Sequence, residues 1–207
     1  KHKELLARMQ LAIRKAEPLL AGFKTRDHLP EGYEQYGVAL TIMALEALDP
    51  KKYREKITHL TDYLICQQGT EGGWGYGPPY KPPEGGVRTE GSGSPKKKEI
   101  RYYDLSMSQY VMLGLWAAKH ANMKIADDVW IDAIRWLVKG QDEAGQWKCC
   151  YTGGKSDPGG AVNMTMTTAG VAGLLLCKRN LSIEGWRQVS EEALPALEKG
   201  FKHAELH

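Results

Sequence analysis

Two kinds of helical pattern alternate along this chain. In 51–67, 126–140 and 184–203, apolar residues recur every three or four positions, and Lys, Arg, Asp and Glu fill the opposite side. That is the pattern of a helix with one buried face. In 36–47, 108–119 and 167–178 nearly every position is small or apolar, as expected of helices packed on both sides. The patterns predict helices over 3–22, 33–48, 51–67, 104–121, 126–140, 163–178 and 184–203, and no segment shows convincing period-two alternation. Asp104 and Asn163 precede inner helices and suit N-caps, and Asp49-Pro50 does the same for an outer helix. The expected class is all-α: charged outer helices alternating with apolar inner ones in a two-layered, curved array.

A repeat underlies the alternation. The segments Gln68-Gly69-Thr70-Glu71-Gly72-Gly73-Trp74 and Gln141-Asp142-Glu143-Ala144-Gly145-Gln146-Trp147 both read Q-x-x-x-G-x-W, each at the end of an outer helix. The doubled motif, set among inner helices, resembles the QW repeats of squalene cyclases. More broadly, the chain resembles the terpenoid cyclase/protein prenyltransferase superfamily over about residues 33–203. The resemblance implies an α/α toroid. Gln68, Gly72, Trp74, Gln141, Gly145 and Trp147 are then structural: each Gln amide ties a helix end to the start of a later helix, with Trp stacked over it. A closed ring takes more hairpins than 207 residues supply. The expectation is a partial toroid of about three hairpin repeats in a single domain over 1–207. That is an open crescent, a piece of a longer chain, or a half that closes by self-association.

The resemblance also says where chemistry would sit. Cyclases of this type take their initiating acid from an Asp-x-Asp-Asp motif, which this sequence lacks; Asp127-Asp128 opens an outer helix, an ordinary place for two carboxylates. Prenyltransferases hold zinc through an Asp-x-Cys and a later His. The matching step here is Asp104-Leu105-Ser106, and the His position falls on Thr165 or Met166. One ligand of three remains, which disfavours a metal. Asp104 is thus a weak catalytic candidate and a better helix cap. The thioester domains that share this ring carry Gly-Cys-Gly-Glu-Gln, also absent here.

Composition narrows the classes further. Six Trp and ten Tyr supply a core, and the longest apolar stretches are too short to cross a bilayer. The net charge of +3 does not suggest nucleic acid, and it resides wholly in the Pro/Gly-rich stretch 77–101, where Lys81, Arg88, Lys96–Lys98 and Arg101 outnumber Glu84, Glu90 and Glu99. Cys66 and Cys177 sit among apolar helical residues as core side chains, whereas the adjacent pair Cys149-Cys150 is unusual; no C-x-x-C spacing marks a zinc site. The six His are scattered, and no nucleophile-elbow, Walker or dinucleotide motif occurs, so no metal or cofactor is expected. The chain begins at Lys1 rather than Met, which leaves the compartment open between periplasmic or secreted and cytoplasmic.

The remaining candidate is a ligand surface at the inner-helix starts. It holds Tyr33, Gln35, Tyr36, Tyr102, Tyr103, Asp104, Gln109, Tyr110, Asn163 and Thr167, with Tyr76, Tyr80 and Tyr151 from loops. Tyr beside amides and hydroxyls suits a polar-headed apolar molecule or a sugar ring. The expected function is a non-catalytic binding or scaffold module for an isoprenoid-like or glycan ligand, or a protein partner. The alternative is an enzyme of isoprenoid or glycan chemistry with non-standard catalytic residues.

Overall fold

The computed structural model describes residues 34–76, 100, 102–152, 155–156 and 164–205, together with Glu4, Ala7, Leu11, Arg14 and Lys15, which are helical and exposed. The rest of the predicted helix 3–22, and the basic stretch 77–101 apart from Ile100, lie outside the described residues.

Among the described residues the protein is mainly helical. Helices α1 (Glu34–Leu48), α3 (Leu105–His120) and α5 (Met164–Asn180) follow the apolar segments. Helices α2 (Arg54–Cys66), α4 (Asp127–Gly140) and α6 (Ile183–Glu205) follow the amphipathic ones. The apolar helices pack side by side, α1 on α3 and α3 on α5, while α4 packs on both α5 and α6. Between α1 and α3 the approach is close because Gly114 has no side chain: a Cβ there would lie 2.8 Å from the Ala39 Cα. The core fills the space between the two sets of helices, with Ile42, Leu45, Leu64, Met112, Leu115, Trp130, Ile134 and Leu137 all buried.

Two expectations change. Helix α2 starts at Arg54 rather than 51, because Asp49 holds the preceding turn instead: its Oδ1 accepts from the Lys51 and Lys52 amides, both at 3.0 Å. The chain also contains strands. β1 (Gly75–Tyr76), β2 (Tyr102–Asp104), β3 (Cys150–Thr152) and β4 (Lys155–Ser156) form an antiparallel sheet in that order. Strands of two or three residues are too short to display alternation, so only their pairing, long-range for β1–β2 and β2–β3, defines them. This sheet lies at the N-terminal end of α3, where β2 runs directly into the helix.

The two Q-x-x-x-G-x-W segments fold alike. Gln68 Nε2 donates to Gly72 O at 2.7 Å and to Val129 O of α4 at 2.9 Å; Gln141 Nε2 donates to Gly145 O at 3.1 Å and to Ala196 O of α6 at 2.8 Å. Each Trp indole N–H donates 2.8 Å back to a carbonyl ten residues earlier, Trp74 to Leu64 and Trp147 to Leu137. Both central glycines have positive φ, +100° at Gly72 and +85° at Gly145. That backbone conformation excludes most side chains.

Candidate functional site

The sheet and the first turns of α1 and α3 bring several of the predicted residues into one polar cluster. Asp104 is its centre. As the N-cap of α3 it has extended backbone, and its Oδ1 accepts from the Met107 amide at 2.6 Å. The Ser106 and Tyr36 hydroxyls lie 2.7 Å and 3.2 Å from the same oxygen and 2.5 Å from each other, so one of them donates to the carboxylate and the other to its neighbouring hydroxyl. Oδ2 accepts from the Cys150 thiol at 3.8 Å. The carboxylate is buried, yet both oxygens have donors, so the helix end and the acid satisfy one another.

Burial is the main influence on the titratable partners of Asp104. It pushes the Tyr36 phenol well above its ordinary range; the Ser106 bond opposes this and the Asp104 charge adds to it. Burial also pushes the Cys150 thiol up to about 12, reinforced by Cys149 and Asp104. Both partners of the carboxylate therefore remain protonated donors at neutral pH.

The predicted ligand residues separate by exposure. Tyr102, Tyr110 and Tyr76 are exposed, Tyr36 and Gln109 are half-buried, and the Tyr36 and Tyr110 rings meet edge-on at 5.3 Å. Tyr103 and Thr167 are buried: the Tyr103 hydroxyl accepts from the Glu71 amide at 3.0 Å and its ring packs on Trp136, so it serves packing rather than an accessible surface. Gln35 is also buried and donates to Gly75 O at 2.9 Å, tying α1 to β1. Tyr33, Tyr80 and Asn163 lie outside the described residues, and Tyr151 is described only by its strand pairing with Tyr103 and Ser156.

Cys150 is the member of the cluster that the sequence did not indicate. It lies 46 residues from Asp104 and reaches it through the β2–β3 pairing of Asp104 with Cys150. The only local signal was the oddity of the adjacent cysteines.

Beyond the cluster, the described residues of the apolar helices include several exposed apolar side chains. The inner helices are expected to be buried on both sides, and among the described residues α1 and α3 are buried or half-buried at nearly every position; the exposed apolar positions are few. Leu40 of α1 is 49% exposed, Tyr110 of α3 38%, and Met164 and Leu175 of α5 36% and 42%. Tyr36, Leu40, Met43 and Ala47 of α1, and Ser106, Tyr110 and Leu113 of α3, follow three- and four-residue spacing along this half-buried to exposed face. Among the described residues, no group of three or more His, Cys, Asp or Glu is arranged to hold a metal ion, and no helix is long and apolar enough to cross a membrane.

Comparison with protein-family models, curated proteins and solved structures gives no match for this chain.

Proposed function

We propose that the protein is a binding module of the squalene cyclase/prenyltransferase repeat type. Its helices form part of an α/α toroid, and its ligand lies along the face shared by α1, α3 and α5. The supporting observation is the exposure of Leu40, Tyr110, Met164 and Leu175 on helices whose other side is core. Large apolar side chains gathered on one face commonly mark a place where something binds. The polar cluster of Tyr36, Ser106 and Asp104 stands at one end of that face. An amphiphile with an apolar body and a hydrogen-bonding head matches this order of polarity better than a uniformly polar glycan does.

The same cluster argues against an acid catalyst. Asp104 is occupied as a helix cap, accepting from the Met107 amide, the Tyr36–Ser106 hydroxyl pair and the Cys150 thiol. The enzyme alternative therefore has its strongest candidate already engaged in capping a helix.

Thermal unfolding in the presence of isoprenoid diphosphates, a triterpene and oligosaccharides tests the reading. A ligand at a hundred times its Kd stabilises a folded chain by about 2.7 kcal/mol, a plain rise in Tm. The rise is expected with the isoprenoid or triterpene and not with the oligosaccharides. No rise with any of them would remove the small-ligand reading and leave a protein partner as the occupant of that face.

A further inference from the structure

Cys149 and Cys150 carry an inference independent of any ligand on the helical face. Successive side chains of an extended strand point to opposite sides. Here Cys149 occupies a bend just before β3 rather than an extended strand position, and Cys150 is the first residue of the strand. Both are half-buried free thiols, whereas Cys66 and Cys177 are buried in the core. The pair is also wired into the start of α3: Cys149 O accepts from the Leu105 amide at 2.8 Å, and the Cys150 thiol donates to Asp104.

We propose that Cys149 and Cys150 form a thiol–disulfide exchange site for low-molecular-weight disulfides of the glutathione class, closing between themselves a strained, reversible vicinal disulfide. The order of events follows from the surroundings. The Cys150 thiol already donates to Asp104 Oδ2, so Cys149 is the first nucleophile. The Cys149 thiolate, its proton given to water, attacks one sulfur of the external disulfide. The external S–S bond breaks, one external thiolate leaves, and a mixed disulfide forms on Cys149. Cys150 Sγ then attacks Cys149 Sγ while its proton passes to Asp104 Oδ2, the atom it already faces. The mixed disulfide breaks and the second external thiolate leaves. Two protein thiols are oxidised by two electrons, the external disulfide is reduced to two thiols, and the two protons released by the cysteines end on those products.

Reversibility follows from ring geometry. Consecutive Cα atoms are about 3.8 Å apart across a trans peptide, below the roughly 4.4–6.8 Å of an ordinary disulfide. A bridge forced into that span is strained and readily reduced. Closing it also removes the Cys150 S–H donor from Asp104 and pulls on the strand residue paired with the helix cap. Oxidation should thus loosen the first turn of α3.

The test incubates the full chain in glutathione buffers of rising oxidised-to-reduced ratio, followed by acid quench, alkylation and peptide mapping. The expected result is a ratio-dependent loss of alkylation at Cys149 and Cys150 alone, with a mass lower by two hydrogen atoms and full reversal by excess reduced glutathione. Cys66 and Cys177 stay alkylatable once the chain is unfolded after quenching. Cys150→Ser should trap glutathione on Cys149, Cys149→Ser should leave Cys150 unmodified, and oxidation should speed amide exchange over residues 104–108. Retention of both thiols in the most oxidising buffer would overturn the proposal. So would a glutathione adduct on the native chain that never closes, or a bridge that excess reduced glutathione leaves intact. Should either serine variant fail to fold, the mapping of the unsubstituted chain decides alone.

Discussion

At Gln68 one amide nitrogen serves carbonyls of two different segments, Gly72 O in its own turn and Val129 O in α4. Its counterpart Gln141 does the same for Gly145 O and Ala196 O, in a less buried setting. Truncating the side chain removes the amide that joins the two segments, and the loss of a buried hydrogen bond costs about 1–3 kcal/mol. Gln68→Ala should therefore destabilise more than Gln141→Ala, as read by chemical denaturation. Gly72→Ala should cost at least as much as Gln68→Ala, since a Cβ there would lie 2.1 Å from Asp132 O on a backbone with φ +100°. Cys150 gives a pH dependence of definite sign. Its thiol is pushed from 9.0 up to about 12 in the folded chain, so the folded state keeps a proton that the unfolded state releases. Stability from this group is complete below about 9 and is lost as the pH rises through that window. Denaturation midpoints should fall with alkaline pH, and fall less steeply in Cys150→Ala.

The helices show which signals survive from sequence to element. The cap at Asp104 was legible because it needs only one acceptor before an apolar run, and the Met107 amide does find it. The further partners Tyr36 and Cys150 were not legible, because they arrive from α1 and β3 by tertiary pairing. Asp49 misled the boundary of α2 for a related reason: its side chain satisfies the turn at Lys51 and Lys52 before the helix proper begins. Asp104→Ala removes a helix cap, worth about 0.5–2 kcal/mol, and also strips partners from the Tyr36 and Ser106 hydroxyls. Asp104→Asn retains an acceptor and should cost less. The ranking, measured by thermal unfolding with amide exchange at Met107, separates capping from charge. If both variants are equally unstable, the negative charge matters more than the hydrogen-bond geometry.

Across the whole molecule, the apolar helices carry two kinds of apolar residue that look alike in sequence. Ile42, Met112 and Leu174 are buried against neighbouring helices, while Leu40, Tyr110 and Leu175 face outward. Charge on the second set should be tolerated by the fold and should act on binding instead. Leu40→Glu and Leu175→Glu should each shift stability by less than about 0.5 kcal/mol, while abolishing the Tm rise produced by an apolar ligand. A large loss of stability in the free chain would mean that this face is packed in solution, against another copy or another part of the chain. Analytical ultracentrifugation of the same variants separates those two cases.

By itself the sequence determined the helices, their alternation between amphipathic and apolar, the cap at Asp104 and the doubled Q-x-x-x-G-x-W turn. Each of these is written in local spacing: a 3.6-residue period, one acceptor before a helix, a Gly and a Trp at fixed distances from a Gln. The tertiary structure alone decided which apolar positions of the described helices are exposed, how β2 pairs with β1 and β3, and that Cys150 meets Asp104. Those features depend on segments far apart in the chain coming together. An apolar side chain has the same spacing whether a helix, a ligand or water lies over it.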